Sequence, residues 1–221
     1  MRAVSIVTVS YNSYRCLDRL RGSLLEHTKP DLYEWIIVDN CSTRENTHRL
    51  LAKIADLEEA RVVHNTQNWW FTAGCNIGIS YASGKHILLL NPDCEVKKGW
   101  LEEMIELIER PKVGIVGKLL VNEQGACVHA GAVGFGDHVA LGEAYNQRAA
   151  WAQSRQITDW VTGACLMIRR DALEAVGGKL DETFKHYHGD RALCDAVKEA
   201  GYTIWLAAKV PIVHSVGGSA Q

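Results

Sequence analysis

The chain is poor in proline, carries almost no net charge and contains no long apolar run. Its 221 residues include 4 prolines and no low-complexity segment, and 47% of them are hydrophobic, as expected for a globular protein with a substantial core. A net charge of −2, without blocks of like charge, gives no electrostatic reason to bind nucleic acid. No stretch approaches the ~18 apolar residues of a membrane-spanning helix. We therefore expect neither a nucleic-acid partner nor a transmembrane segment.

Cysteine is present, but its pattern excludes the usual cysteine-based scaffolds. The 7 cysteines are odd in number, widely spaced and without a Cys-x-x-Cys pair, which fits neither a disulfide framework nor a structural zinc site. Reduced thiols favour a cytoplasmic protein. The first residues lack an apolar stretch long enough for a secretory signal, so any membrane contact is expected to be peripheral, at the inner face.

Strands and helices alternate over the first 110 residues. The predicted strands are 3–10, 35–38, 61–65 and 86–90, and the predicted helices lie around 17–24, 45–54, 73–83 and 100–109. Ser42 and Glu45 resemble a capping box that opens the second helix. This alternation predicts an α/β fold with a mostly parallel sheet and helices on both faces.

The alternation breaks down after residue 110. We expect a strand at 113–121, a long connection over 122–154 and an apolar strand at 160–168 that Gly163 interrupts. A helix near 191–200 and two separate strands, at 203–206 and 212–214, complete the prediction.

A buried-strand pattern leads directly to Asp93. Residues 87–90 are consecutive aliphatic residues, and Asn91-Pro92 ends the strand, so Asp93 is predicted to project from the carboxyl edge of the sheet. Open α/β sheets bind ligands at that edge, and a carboxylate there suits a divalent cation. The same residues are compatible with a solvated turn, because Asn-Pro and Asp are common in turns.

Polar groups follow three of the predicted strands at what parallel pairing makes the same edge. They are Ser10, Tyr11 and Asn12, then Asp39 and Asn40, then Asn91 and Asp93. Several such groups on neighbouring strand ends can form a cleft with hydrogen-bond partners for a heterocycle and a carboxylate for a metal ion. Their convergence favours a binding site over three independent turns.

Five motifs carry a family resemblance. They are residues 7–13 (VTVSYNS), 36–42 (IIVDNCS), 88–93 (LLLNPD), 161–165 (VTGAC) and Leu193-Cys194 before Ala200-Gly201-Tyr202. In order and approximate spacing they resemble the family-2 glycosyltransferases, most closely the rhamnosyltransferase-like branch. The resemblance runs from Ser5 to His214.

The resemblance implies one GT-A domain over residues 1–221, with a nucleotide-sugar-binding half (1–110) and a smaller acceptor-binding half (111–221). It implies inverting transfer of a sugar from a UDP or dTDP donor to a hydroxyl group of a glycan or lipid-linked acceptor, with Mn²⁺ or Mg²⁺ as cofactor, in cell-surface glycan synthesis. The chain is short for the family, so a partner subunit or a homo-oligomer is expected to complete the acceptor site.

The resemblance also assigns residues. Tyr11 and Asp39 match positions that contact the nucleobase, and Asp93 matches the last Asp of the metal motif. His214 matches a position that often completes the metal or diphosphate site, although a lone His is more often structural. The remaining substrate-binding candidates are Ser10, Asn12, Asn40, Gly74, Asn76, Asn91, Gly163 and Ala164.

Residues 68–76 (NWWFTAGCN) occupy the place of the family's segment rich in glycine and asparagine. Backbone N–H groups and Asn76 are expected to approach the nucleotide there. Trp70, Ala73 and Cys75 replace Gly, Gly and Asn of the branch, which puts the detailed donor fit in question. Packing of the aromatic residues into the core is the alternative.

Asp190 matches the catalytic base. An inverting displacement needs a carboxylate near the acceptor hydroxyl group, and in the family an acidic pair precedes the Leu-Cys motif. Here Gly189 replaces the acidic neighbour and Ala192 replaces a later Asp. The residues alone favour Asp190 as an N-cap or first-turn residue of the following helix, whereas the resemblance favours the base.

Two other functions are compatible with parts of the sequence, and the environment of three basic residues is left undecided. A nucleotide-sugar-binding protein without transfer would explain Gly189 and the aromatic segment. A nucleotidyltransferase would require a Gly-rich, basic loop after the first strand, which residues 11–14 are not. Lys118, Arg169 and Arg170 could face a diphosphate or could be solvated charges at strand ends. The fold by itself does not select the sugar or the acceptor.

Overall fold

The computed structural model describes residues 2–134, 137–157 and 159–215. The strands are β1 Val4–Ser10, β2 Tyr33–Asp39, β3 Ala60–His64, β4 His86–Leu90, β5 Cys94–Glu95, β6 Val113–Val121, β7 Cys127–His129, β8 Ala132–Val133, β9 Asp137–His138, β10 Arg155–Ile157, β11 Cys165–Arg169 and β12 Thr203–His214. The helices are α1 Tyr14–His27, α2 Glu45–Ala55, α3 Trp70–Tyr81, α4 Trp100–Ile108, α5 Arg170–Ala175 and α6 Gly189–Glu199, with a 3-10 turn at Ala150–Ala152.

Most strands belong to one sheet, in the order β10-β12-β6-β11-β4-β1-β2-β3. Strand β1 pairs in parallel with β2 and β4, and β2 pairs in parallel with β3. Strand β11 lies antiparallel between β4 and β6, so the sheet is parallel in its first half and mixed beyond β4. The α/β fold class predicted from the sequence is confirmed.

Two apolar clusters cover the two faces of the sheet. Leu88 and Leu90 of β4 belong to the cluster with α1, α2 and α4, whereas Ile87 and Leu89 belong to the cluster with α3, α5 and α6. Because side chains alternate along a strand, a strand buried on both faces needs apolar residues at every position. This explains the uninterrupted aliphatic run before Asp93.

The start of the third helix differs from the prediction. Helix α3 begins at Trp70 rather than near residue 73 and ends at Tyr81. The predicted capping box at Ser42 and Glu45 was also wrong, because the N-cap of α2 is Arg44. Asn12 Oδ1 instead accepts hydrogen bonds from the N–H groups of Thr43 and Arg44, at 2.9 and 3.0 Å. A side chain about thirty residues away thus binds the segment that leads into α2, while the N-cap residue Arg44 makes no side-chain capping hydrogen bond.

The second half has more structure than the sequence indicated. The predicted connection over 122–154 contains β7, β8, β9 and the 3-10 turn, and the predicted strand over 160–168 reduces to β11. The two short strands expected at 203–206 and 212–214 form one strand, β12, with a register shift between Ala207 and Ile212. A bulge interrupts the alternation of inward- and outward-facing side chains along a strand. The sequence pattern of one bulged strand therefore resembles that of two short strands.

Lys118 and Arg170 were predicted either to face a diphosphate or to be solvated charges at strand ends. The structure fits neither description. Lys118 is fully buried, and its Nζ donates to Glu103 Oε2 at 2.6 Å. Burial lowers the pKa of Lys118, while Glu103 opposes that shift. Arg170 donates to the carbonyl groups of Ala82 and Gly84. Both side chains therefore hold the scaffold together.

Candidate functional site

The polar ends of β1, β2 and β4 meet at one edge of the sheet. Ser10 stands opposite Asp39 in the parallel register, and the N–H of Asn40 donates to Ser10 O at 2.8 Å. The hydroxyl group of Ser10 is buried and has no hydrogen-bond partner among the described residues. The predicted convergence of these strand ends therefore holds in the structure, as the parallel pairing requires.

Asp39 is buried at the centre of this edge. Its Oδ1 accepts from the N–H of Ser42 at 3.1 Å, and its Oδ2 lies 3.1 Å from Nδ1 of His64. Tyr11, by contrast, leaves 43% of its surface exposed. The edge thus combines a fixed carboxylate with an accessible aromatic ring, which are suitable groups for a heterocycle.

Asp93 and His214 form a compact pair of candidate metal ligands. Strand β5 pairs with the end of β12, and this brings His214 Nε2 to 3.2 Å from Asp93 Oδ1. Donor atoms of Asp93, Cys94 and His214 all lie within 4.8 Å of one another. Nδ1 of His214 is buried without a hydrogen-bond partner in the described part of the chain.

The donor set fits Mn²⁺ or Mg²⁺ through the carboxylate and the imidazole, not through the thiol. Burial raises the pKa of Cys94 well above its usual value, and its Sγ donates to Ala164 O at 3.4 Å. A protonated thiol is a poor ligand, and hard cations prefer oxygen. Asp93 and His214 would therefore hold the ion, and the remaining positions would stay open.

Asp190 lies near this pair through a short chain of contacts. Its Oδ2 accepts from the N–H of Gly163 at 2.9 Å, and its Oδ1 accepts from the N–H of Arg191 at 2.9 Å. The next residue, Ala164, accepts a hydrogen bond at its carbonyl from the N–H of Asn91, also at 2.9 Å. Asp190 is a first-turn residue of α6, but it also connects that helix to the loop beside Asn91.

Gly189 replaces the expected acidic neighbour at a crowded position. The residue is buried, and a Cβ atom added there would lie 3.2 Å from Thr72 Oγ1 and 3.6 Å from Phe184 Cβ. The hydroxyl group of Thr72 in turn donates to Phe184 O. A larger residue at 189 would have to displace the contact between α3 and the segment before α6.

Three of the predicted substrate-binding residues make close contacts within the protein. A Cβ at Gly74 would lie 2.8 Å from Val9 Cγ1, so this glycine lets α3 approach β1. Asn40 donates to Trp70 O and accepts from Asn65, both at 2.8 Å. The amide of Asn76 donates to Leu180 O at 3.0 Å and accepts from the N–H of Leu180 at 2.8 Å. Asn76 therefore anchors the loop at Leu180, and its contact with a nucleotide stays a prediction.

His129 is a site residue that the sequence analysis missed. Its Nε2 accepts from the N–H of Thr162 at 3.1 Å, and its Nδ1 lies 3.1 Å from Nδ1 of His138. Burial, together with His138 and His214, lowers the pKa of His129 to about 3, so it is neutral and can accept this bond. No spacing in the sequence links residue 129 to 162, because the contact is purely tertiary.

A large cavity opens beside the metal pair. Its volume is about 1130 Å³, and Asn12, Arg15, Arg19, Arg44 and Ser215 contribute to its walls. Ser215 directly follows His214, and its N–H donates to the carbonyl of Asp93 at 3.0 Å. A ligand in this cavity would lie next to the end of β1 and next to the candidate metal ligands.

The sequence model described as Glycosyl transferase family 2 matches residues 5–177. The chain belongs to this family. The predicted family is therefore confirmed.

Named relatives agree with this assignment. The O-antigen biosynthesis protein RfbC of Myxococcus xanthus is 32% identical over 227 residues, covering 98% of the chain and 17% of that protein. The N-acetylglucosaminyl-diphospho-decaprenol L-rhamnosyltransferase of Mycobacterium tuberculosis is 26% identical over 230 residues, covering 93% of the chain and 73% of that protein. The chain spans less than a quarter of the length of the relatives that are 32% identical to it.

The fold is that of the GT-A glycosyltransferases. The mannosyltransferase PcManGT of Pyrobaculum calidifontis, solved with GDP-Man and Mn²⁺, aligns with a TM-score of 0.72 at 17% identity. The alignment covers 98% of the chain and 58% of that protein.

Within residues 2–134, 137–157 and 159–215, no helix is both long and apolar enough to cross a membrane.

Proposed function

We propose that the chain is an inverting glycosyltransferase that moves a sugar from a UDP or dTDP donor to a hydroxyl group of a glycan or lipid-linked acceptor. The observation that carries this proposal is the placement of Asp190 and the pair Asp93–His214 along one edge, connected through Gly163, Ala164 and Asn91. The edge offers separate groups for a nucleobase, a diphosphate and an acceptor hydroxyl group.

The donor would lie along the strand ends of residues 1–110. Tyr11 and Asp39 are suited to the nucleobase, with Ser10 and Asn12 beside them. The adjacent cavity has three arginines against Asp18 and Glu123 on its walls, and this excess of positive charge would offset part of the charge of the phosphates. A Mn²⁺ or Mg²⁺ ion bound by Asp93 and His214 would neutralise charge that develops on the departing diphosphate. The second half, residues 111–221, would supply the base and the acceptor side.

Asp190 would act as the general base. As the acceptor oxygen forms a bond to the anomeric carbon, the bond from that carbon to the phosphate oxygen breaks, and the nucleoside diphosphate leaves with the electron pair. Asp190 takes the proton of the acceptor hydroxyl group. Attack from the face opposite the leaving group inverts the anomeric carbon. The hydrogen bond from Gly163 orients the carboxylate toward this loop.

The relatives support the class of reaction and its setting. One is named for O-antigen biosynthesis and one as a rhamnosyltransferase that acts on a diphospho-decaprenol substrate. A protein of the same fold was solved with a nucleotide sugar and Mn²⁺. We accordingly propose a role in cell-surface glycan synthesis, in the cytoplasm or peripherally at the inner face of the membrane. A homo-oligomer remains part of this hypothesis.

A nucleotide-sugar-binding protein without transfer is the second candidate. Both oxygens of Asp190 already accept backbone hydrogen bonds, and Gly189 supplies no second carboxylate. These two observations favour a structural carboxylate over a free base. The donor edge would be the same in both cases, so only a transfer measurement separates them.

The first experiment is calorimetric titration of UDP, dTDP and GDP with and without Mn²⁺. The parent protein is compared with Asp93→Ala, and Glu106→Ala serves as a control at an exposed carboxylate of α4 that lies outside the metal pair and outside the cavity beside it. Metal-dependent binding of one nucleotide that is lost only in Asp93→Ala supports the donor site and identifies the base. Absence of binding for all three nucleotides overturns the donor assignment.

Transfer is then measured with the matching nucleotide sugar and a panel of glycan and polyprenyl-diphosphate-sugar acceptors. The anomeric configuration of the product is read by NMR. Inversion, together with loss of turnover in Asp190→Asn, supports the enzyme. Retention of configuration contradicts the single-displacement mechanism, and nucleotide binding without turnover on any acceptor favours the binding protein.

A further inference from the structure

An exposed aromatic cluster lies at the start of α3. Trp69 and Trp70 leave 45% and 48% of their surface exposed, and Tyr187 leaves 79%. The ring of His186 lies edge-on to Trp70 with centroids 5.6 Å apart, and it lies 5.5 Å from the ring of Tyr187. We call these four residues the aromatic platform. The alternative of core packing is therefore wrong for both tryptophans.

Trp70 occupies a backbone conformation that its residue type does not favour. Its φ angle is +65°, in the left-handed region that bulky residues rarely adopt. Its N–H donates to Asn68 Oδ1 and its carbonyl accepts from Asn40, both at 2.8 Å. Non-glycine residues held in this way concentrate at functional sites. Glycine would satisfy the same backbone without strain, so packing alone does not account for the ring.

The cavity next to the platform is polar but carries no net formal charge. It has a volume of about 320 Å³, and Gln67, Asn68, Glu182 and Lys185 contribute to its walls together with Trp69 and Trp70. One acidic and one basic side chain offset each other, whereas a diphosphate would require an excess of positive charge or a metal ion. Amide groups beside an aromatic face suit a neutral ring that carries several hydroxyl groups.

The platform is adjacent to Asp190. The segment that carries His186 and Tyr187 precedes α6, and the N–H of Thr72 donates to Lys185 O at 3.3 Å. The ring of Phe71 lies 3.5 Å from the position that a Cβ on Gly163 would take, and the N–H of Gly163 binds Asp190. A sugar on the platform would therefore lie on the side of α3 where Phe71 approaches Gly163, the residue that binds the proposed base.

We propose that the aromatic platform binds a neutral pyranose ring of the acceptor glycan. The ring would stack on Trp70, and its hydroxyl groups would bond to the side chains around the cavity. The assignment to the acceptor rests on the proposed function, because Asp190 must take its proton from the acceptor. A donor sugar has the same stacking chemistry and is the competing source.

The test monitors the indole N–H signal of Trp70 in ¹⁵N NMR spectra, assigned by its disappearance in Trp70→Phe. The probes are the methyl glycosides of D-glucose, N-acetyl-D-glucosamine and L-rhamnose, and separately UDP, dTDP and GDP sugars with Mn²⁺. The key variant is Trp70→Gly, which removes the ring and suits the left-handed backbone. The control is Tyr81→Ala, at an equally exposed aromatic residue at the other end of α3.

We expect at least one methyl glycoside to shift the Trp70 signal. Glycoside affinities of the parent protein and both variants are compared by calorimetry, because Trp70→Gly lacks the indole signal. Trp70→Gly should weaken that binding about tenfold without lowering the unfolding temperature, and Tyr81→Ala should leave the affinity within about twofold. A shift only with nucleotide sugars assigns the platform to the donor and overturns the proposal. So does the absence of any glycoside shift, or equal weakening in Tyr81→Ala.

The glycoside titrations contain no nucleotide, so they are independent of the donor site. If no nucleotide binds but a glycoside does, the proposed transfer fails while sugar binding by the platform stands. If a nucleotide binds and no glycoside does, only the platform assignment fails.

Discussion

The strand-end edge and the corner between α3 and α6 bring polar groups to the site in different ways. At the edge, Ser10 and Asp39 follow directly from parallel strands in register. At the corner, Asp190 is positioned by Gly163, and the neighbouring loop is held by Asn76 and Thr72 through contacts about one hundred residues apart in sequence. A site built on strand ends is encoded locally, whereas a site built on loop contacts depends on the whole fold.

The largest expected effect is on the transfer rate, and it distinguishes the corner between α3 and α6 from the strand-end edge. Asp190→Asn should lower the transfer rate by about 10²–10⁴-fold, because a general base typically contributes that much, while nucleotide affinity stays unchanged. The rate is measured as release of nucleoside diphosphate in the presence of acceptor. Asp195→Asn, at a half-exposed acid of the same helix, is the control and should retain the parent rate. A loss of less than tenfold in Asp190→Asn would contradict the role of base.

A second prediction concerns the stability contributed by the buried ion pair of Glu103 and Lys118. Glu103 binds Lys118 and also accepts from the N–H groups of Lys209 and Val210, in the bulge of β12 that precedes His214. Glu103→Gln should reduce the free energy of unfolding by about 3–5 kcal/mol, because it leaves a buried lysine without its counter-charge. Denaturant unfolding measures this loss.

The control for this prediction is Glu106→Gln, at an exposed glutamate of the same helix. It should change the free energy of unfolding by less than about 0.5 kcal/mol. Equal effects of the two variants would show that the pair with Lys118 does not stabilise the fold.

A third prediction uses the buried histidine behind the corner. The pKa of His129 is lowered to about 3 from an unfolded value of 6.5, so the unfolded chain binds a proton that the folded chain does not. Its contribution to stability is therefore present above pH 6.5 and is lost as pH falls toward 3, at roughly 1.4 kcal/mol per pH unit. Between pH 6.5 and 5 this amounts to about 2 kcal/mol.

Denaturant unfolding at several pH values between 5 and 6.5 tests this contribution. His129→Phe should flatten the slope, whatever its effect on absolute stability. His86, whose pKa burial also lowers, leaves a residual slope in the variant. An unchanged slope in His129→Phe would mean that folding does not lower the pKa of His129.

The smallest expected effect is on stability. It compares two glycines in helices that pack on opposite faces of the sheet. A Cβ at Gly78 of α3 would lie 2.3 Å from Val7 Cγ1, whereas nothing lies within 4 Å of a Cβ at Gly22 of α1. Gly78→Ala should destabilise the protein by about 1–3 kcal/mol through overpacking. Gly22→Ala should stabilise it by about 0.5–1 kcal/mol, because alanine favours the helix. Opposite signs in thermal unfolding confirm the close approach of α3 to the sheet.

The edge was predictable because strand signals are local. The aliphatic run before Asp93, the β-branched run before Ser10 and the apolar run before Asp39 each identify a strand and its end. Parallel pairing then places the ends together without further information. The capping box at Ser42 was predicted wrongly for the converse reason, since the segment before α2 is held by a tertiary contact, in which the distant Asn12 binds the N–H groups of Thr43 and Arg44.

The sequence alone determined the family, the α/β class and the strand ends that carry Ser10, Asp39 and Asp93, because periodicity and order along the chain encode them. Tertiary structure alone decided that Lys118 is buried against Glu103, that Asn76 anchors a loop, that His129 binds the backbone of Thr162 and that Trp70 is exposed beside the segment before Asp190. These outcomes depend on which groups the folded chain brings within hydrogen-bond distance, and no local pattern encodes such contacts.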